Sequence, residues 1–261
     1  MPRNKVDQVR ELLSQKSLLK IIAGIFNFDK EQVLRIAEMT DKAGDLALDI
    51  CAREDIVSEV RTQFPNLIIA VSAIKVSELN RAQELGADIL ELGNFEALYE
   101  QGIFYSAEEV YSMAAELINI KNENTLVSIT VPGHLQINDQ IDLAKRLETL
   151  GVDIIQTEGA ALSDANATSA LGSIQKVALT LSNTIELDKV LESTAIMTAS
   201  GISPDTIALA ISAGARAVGV GSFVNKHETK EEIYEAITKL KAAISLTQIE
   251  KTLEEQELIY S

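Results

Sequence analysis

The stretch Ala195-Ile-Met-Thr-Ala-Ser-Gly-Ile-Ser-Pro204, with its continuation Gly214-Ala-Arg-Ala-Val-Gly-Val-Gly-Ser-Phe-Val224, decides the fold. Ala195 to Ala199 is a short apolar run that stops at Ser200-Gly201. A helix is predicted to start near Pro204, whose missing N–H suits a first turn. It runs through Ile207, Ala208, Ala210 and Ile211 and ends at Gly214 in a left-handed C-cap. Ala217 to Val220 is the next apolar run, and it stops at Gly221-Ser222. Strand, turn, helix, strand is the repeating unit of a parallel sheet. Both strands end in small residues whose backbone N–H groups are open to a ligand, since no β-carbon blocks a glycine. In a (β/α)8 barrel the loops after strands 7 and 8 commonly hold a phosphate group. Ser200, Gly201, Gly221 and Ser222 are therefore the predicted phosphate-binding residues, with a small phosphorylated molecule as the partner. The plainer alternative is that the glycines only close tight strand ends.

Outward from this unit, one phrase recurs: a helix end, a glycine, then a short apolar strand. It appears at Gly44, Gly86, Gly151 and Gly214, and each later gap holds two units of about 30 residues. Leu67–Ala73 and Thr125–Val131 are bounded, β-branched runs that read as strands 3 and 5. Leu18–Ile25 reads as strand 1, and residues 5–16 as an amphipathic helix that plugs the bottom of the barrel. Val177-Ala-Leu-Thr-Leu181 is ambiguous. Either it is a ninth strand, or Thr180 or Ser182 caps a helix through Ile185, Leu187, Val190 and Leu191, with 159–179 as a long loop. The second keeps eight strands and is preferred; a loop of that length is usually functional. The expected architecture is a single α/β domain over 1–261, a (β/α)8 TIM barrel. Its core spans about 18–224, followed by a C-terminal helix and acidic tail.

A net charge of −16 argues against nucleic-acid or anionic-membrane partners. It does not forbid a local nest of N–H groups from holding an anion, because such a nest acts at short range. The single cysteine, Cys51, excludes an internal disulfide and suits a reducing compartment. No apolar run approaches the roughly 20 residues of a membrane span, and no secretory signal is visible. A cytoplasmic protein is expected, and assembly into a homo-oligomer is left open.

Strand alternation sorts the polar residues. Asp49, Glu91, Gln156 and Glu158 share phases opposite to the apolar sets Leu46/Leu48/Ile50, Leu90/Leu92 and Val127/Ile129/Val131, so the polar sets face inward. Lys20, Ser72, Ser128 and Thr130 join them. Three acids and a lysine inside a barrel form either a structural ion-pair layer or part of an active site. Glu158 lies at a strand's C-terminal end, where barrel enzymes place their chemistry. His134, in Val131-Pro-Gly-His134, is an acid–base candidate on the loop after strand 5. Lys20, Glu91, His134 and Glu158 are the candidate catalytic residues; Asp49, Asn94, Thr130 and Gln156 are the other candidate binding residues. Lys75 reads as an exposed lysine and Cys51 as core. No metal-ligand spacing is present, and Gly219-Val-Gly221-Ser lacks the context of a dinucleotide fingerprint.

Five motifs, Glu91-Leu-Gly-Asn-Phe95, Thr130-Val-Pro-Gly-His134, Ile155-Gln-Thr-Glu-Gly159, Thr198-Ala-Ser-Gly-Ile-Ser203 and Val218-Gly-Val-Gly-Ser222, together resemble the hypothetical chloroplast reading frame twenty-three family of photosynthetic bacteria and plastids. The resemblance runs from Leu19 to Asn225. One departure is Lys75-Val76, where an acidic residue and a proline are expected. The resemblance implies a ribulose-phosphate-binding type of barrel and a bacterial cytosol or plastid stroma. It carries the phosphate role to Ser200, Gly201, Gly221 and Ser222 and assigns no catalytic roles. Three functional readings follow: an isomerase or lyase in which Glu158 or His134 moves a proton beside a carbonyl while Lys20 stabilises charge; a non-catalytic metabolite-binding or regulatory protein; and a flavin mononucleotide-binding protein. No cofactor is fixed by the residues.

Overall fold

The computed structural model describes residues 4–159 and 170–260. Eight parallel strands close into a barrel in sequence order. They are β1 (Leu18–Ile22), β2 (Ala47–Cys51), β3 (Ile68–Ala73), β4 (Ile89–Leu92), β5 (Leu126–Val131), β6 (Ile154–Thr157), β7 (Ala195–Thr198) and β8 (Ala217–Val220). Helix α1 (Lys5–Ser14) precedes the barrel, and α2 (Lys30–Ala43), α3 (Glu54–Gln63) and α4 (Val76–Glu84) follow the first three strands. The short α5 (Glu96–Tyr99) and then α6 (Ala107–Ile120) follow β4. Next come α7 (Ile137–Leu150), α8 (Ala170–Asp188) and α9 (Ile207–Ser212). The one-turn α10 (Ser222–Asn225) and α11 (Lys230–Tyr260) end the chain. The four recurring glycines all adopt positive φ, between +70° and +112°, where a helix hands over to the next strand.

The barrel interior is layered by the period-2 alternation of its strands. Val6, Val9 and Leu13 of α1 pack against Leu18, Ala47, Ile68, Ile89, Leu126, Ile154 and Met197, closing the N-terminal end with an apolar plug. Two positions further along the same strands come Lys20, Asp49, Glu91, Ser128 and Gln156, with Thr130 a further two positions along β5, all buried. Register ties this layer together: Lys20 pairs with Gly219 across the β1–β8 seam, Ser72 with Glu91, and Thr130 with Gln156. Outward-facing Leu48, Ile50, Leu90, Leu92, Ile129 and Val131 meet the helices in the main core.

Three sequence expectations are corrected. Strand β1 stops at Ile22 rather than Ile25, because the chain turns away at Gly24 (φ +114°). Helix α9 begins at Ile207 rather than near Pro204, since residues 204–206 form a turn closed by Ser203, whose carbonyl accepts from the N–H of Thr206 and Ile207. Residues 177–181 are neither a strand nor the lead-in to a cap. They lie inside α8, which starts at Ala170 and ends at Asp188, short of Val190 and Leu191. Neither Thr180 nor Ser182 caps a helix, since both lie within α8; Thr180 and Thr184 lie one turn apart on its inner face. There Thr180 meets Thr157 (2.8 Å) and Thr184 meets Thr198 (2.7 Å), so threonines that suggest a strand serve as the polar seam between helix and sheet. Of the anticipated loop, residues 160–169 lie outside the described residues.

Candidate functional site at the carboxyl end of the barrel

The polar layer is one hydrogen-bonded network. Lys20 Nζ is paired with Glu91 and donates to Gln156 Oε1 at 2.8 Å, with both ion-pair side chains fully buried. Gln156 Nε2 donates to Glu91 Oε1 (2.9 Å) and Asn94 Oδ1 (3.2 Å). Ser72 Oγ donates to Asp49 Oδ1 (2.5 Å) and accepts from Asn94 Nδ2 (2.9 Å). Burial, opposed by Lys20 and reinforced by Glu91, pushes the Asp49 carboxyl up to about 7. Buried charges of this kind survive only when each is paired and hydrogen-bonded, which this layer achieves.

Glu158 sits one residue beyond β6 and is only 2% exposed. Its Oε1 is bonded to Tyr99 Oη and accepts the Gly133 N–H (3.1 Å), while Oε2 accepts the Glu96 N–H (3.1 Å). The Gly133 approach requires glycine: a β-carbon there would lie 2.6 Å from the Gly159 carbonyl oxygen. Burial overrides these hydrogen bonds and pushes the Glu158 carboxyl up to about 8, so it is mainly protonated at neutral pH. Tyr99 comes from α5, stacks on Phe104 and meets His134 edge-on. Burial, followed by the Glu158 charge, raises the Tyr99 phenol, and burial lowers the His134 imidazole.

A cleft of about 460 Å³ opens at the carboxyl end of the barrel, a size suited to a small metabolite. Ile22, Ile25 and Ala199 give it an apolar side; Asn94, Gln156 and Glu158 give it a polar floor. Ser200, Gly201, Gly221 and Ser222 form the opposite rim together with Lys176 of α8. Ser200 (φ +70°) and Gly201 (φ +78°) are consecutive left-handed residues just beyond β7. Among the described residues, no acceptor is bonded to the N–H of Ser200, Gly201, Ser222 or Phe223. Ser200 Oγ donates to Glu96, whose carboxyl is raised by burial and lowered by that hydrogen bond and by Lys176.

The cleft thus gathers Asn94, Gln156, Glu158, Ser200, Gly201, Gly221 and Ser222 from the sequence-derived set. Lys20, Asp49, Glu91 and Thr130 do not line it; they are fully buried in the barrel interior, with Gln156 between Lys20 and the cleft. His134 lines a separate cleft over α7 and α8. Sequence reasoning missed Lys176, Glu96 and Tyr99. Lys176 lay in the stretch expected to be loop, and Glu96 and Tyr99 belong to a four-residue helix too short to show periodicity. Lys75 is 68% exposed and pairs with Glu78, as an ordinary surface lysine does. Among the described residues no cluster of three or more His, Cys, Asp or Glu is placed to hold a metal ion. Among them, too, no helix is long and apolar enough to cross a membrane.

Comparison with solved structures shows the same fold. The chain is similar to 3-hexulose-6-phosphate synthase from Salmonella typhimurium, with a TM-score of 0.66 and 13% identity, covering 88% of this chain and 99% of that one. In sequence it is 36% identical over 231 residues to the uncharacterized protein ycf23 of Porphyra purpurea, covering 88% of this chain and 86% of the relative. It is 32% identical over 252 residues to the ycf23 protein of Cyanophora paradoxa, covering 94% and 99%. The family model described as "Protein of unknown function (DUF561)" matches residues 3–250. The chain therefore belongs to the DUF561 family, in which its curated relatives bear the name ycf23.

Proposed function

We propose that this protein binds a small phosphorylated metabolite in the β7–β8 cleft and moves a proton beside a carbonyl of that ligand, as an isomerase or a lyase does. One observation carries the reading: a carboxyl group kept protonated by burial borders the same cleft as the unbonded amides of two adjacent strand tips. The phosphate takes the N–H groups of Gly201 and Ser222, replaces Glu96 as partner of the Ser200 hydroxyl, and gains the Lys176 charge. Glu158 then faces the carbon skeleton as general acid or base, its pKa near the working pH, where proton transfer in both directions is efficient. Asn94 and Gln156 orient the ligand's oxygens, and Lys20 acts through Gln156 by fixing that amide. The name of the similar solved structure, a hexulose-phosphate synthase, is in keeping with a phosphorylated ligand. A bacterial cytosol or plastid stroma is the compartment we propose for it, in keeping with its ycf23 relatives.

A second reading, a non-catalytic metabolite binder, is favoured by one feature: both Glu158 oxygens are already held by protein donors. Calorimetric titration with ribose 5-phosphate, combined with NMR detection of deuterium entering the ligand from heavy water, separates the two. The proposal expects binding that Ser222→Asp abolishes, and deuterium incorporation that Glu158→Gln abolishes while leaving affinity within a few-fold. Binding without any incorporation across a panel of sugar phosphates favours the binder. No binding of any of them overturns both.

A further inference from the structure

Glu158 has a second connection, leading away from the cleft. Its Oε1 is bonded to Tyr99 Oη, and the same Oη lies 3.1 Å from His134 Nδ1. His134 lines a cleft of about 620 Å³ with Gln136, Ile137, Asn183 and Glu186, and among the described residues this cleft shares no lining residue with the one that Glu158 borders. Three groups able to give and accept protons therefore stand in line from a buried acid to an independent opening on solvent. Aromatic packing holds the line in place: the Tyr99 and Phe104 rings stack at 5.2 Å and 13°, and His134 meets Tyr99 at 83° and Phe104 at 70°.

We propose that Tyr99 is a proton-relay residue that couples Glu158, through His134, to water on the α7–α8 side of the barrel. The inference rests on the reading of Glu158 as the acid–base group of the cleft. A ligand seated over Glu158 excludes water from it, so a carboxyl buried this deeply needs another route if its proton is to be renewed during a turnover. The step is a double transfer. The Glu158 O–H gives its proton to Tyr99 Oη as Tyr99 gives its own to His134 Nδ1, leaving a carboxylate, a neutral phenol and an imidazolium. The imidazolium then releases its Nε2 proton to water. Charge is conserved at each stage, and the reverse sequence reloads the acid. The charged groups facing the line are Glu96, beside both Tyr99 and Glu158, and Glu186, in the cleft of His134.

The test needs no knowledge of the natural ligand. With two histidines in the chain, His134→Gln assigns the His134 ring resonance in proton NMR. The relay predicts a second inflection in the His134 titration curve, reporting Glu158, that is absent from both Glu158→Gln and Tyr99→Phe. The infrared difference spectrum between the parent and Glu158→Gln at neutral pH, in which the shared Asp49 absorption cancels, should show a protonated-carboxyl band that Tyr99→Phe retains. From the outer end, His134→Gln should slow hydrogen–deuterium exchange of that band at least tenfold. An unchanged second inflection in Tyr99→Phe, or unchanged exchange in His134→Gln, overturns the relay alone. A spectrum in which Glu158→Gln removes none of the protonated-carboxyl absorption overturns the assignment of Glu158 as the acid, and the relay with it.

Discussion

Lys20, Glu91 and Gln156 show how single residues divide between building the site and supporting it. A lysine at the centre of a barrel is tolerated because Glu91 neutralises it and Gln156 completes its hydrogen bonds. Lys20→Met keeps the volume and deletes the charge, stranding Glu91 beside a raised Asp49. The expected result is a loss of about 3–5 kcal/mol in urea unfolding, against less than about 1 kcal/mol for a surface lysine such as Lys75→Met. A loss equal to that at Lys75 would mean the pair is dispensable. These inward residues were legible because alternation on a half-polar strand fixes its phase, and the apolar sets opposite left one choice. Tyr99 and Glu96 were not legible. They reach Glu158 by three-dimensional proximity across about sixty residues of chain, and nothing in their local pattern signals it.

At the scale of elements, β7, β8 and the helix between them were readable because Gly201, Gly214 and Gly221 punctuate short apolar runs. The N-terminal plug was readable because Val6, Val9 and Leu13 repeat at helical spacing ahead of a strand. Helix α8 was read as a helix in preference to a ninth strand, but its start was placed about ten residues too late, for a physical reason. Its inner face carries Thr180 and Thr184 bonded to strand threonines, and a helix face built from Thr, Val and Leu imitates a strand run. The correction matters for function, because it brings Lys176 to the cleft rim. Ala178 is exposed near the middle of α8. Ala178→Pro should therefore cost about 3 kcal/mol or more, by removing a helical hydrogen bond and clashing with the preceding turn. Thermal or urea unfolding measures this; a cost near zero would mean that 170–188 is not a continuous helix.

Across the whole molecule, the −16 charge and the proposed anion site coexist because the strand-tip amides act over a few ångströms while exposed carboxylates are screened within about 10 Å. The buried acids set the pH response. Glu158 rises to about 8 and Asp49 to about 7, so the folded state holds protons that the unfolded chain has already released. Stability contributed by such groups is complete below their unfolded values near 4 and is lost as pH rises through the folded ones. Unfolding free energy should therefore fall between about pH 4 and pH 8, and Glu158→Gln should flatten that fall by a few kcal/mol. Parallel curves for the parent and the variant would show that Glu158 titrates normally.

The central claim, that the tips of β7 and β8 hold a phosphate, is tested most directly by a crystal structure determined with inorganic phosphate. The predicted result is tetrahedral density within hydrogen-bond distance of the Gly201 and Ser222 amides, with Lys176 turned toward it and the Ser200 hydroxyl released from Glu96. An empty cleft in saturating phosphate, with those amides bonded to the protein's own acceptors, would contradict it.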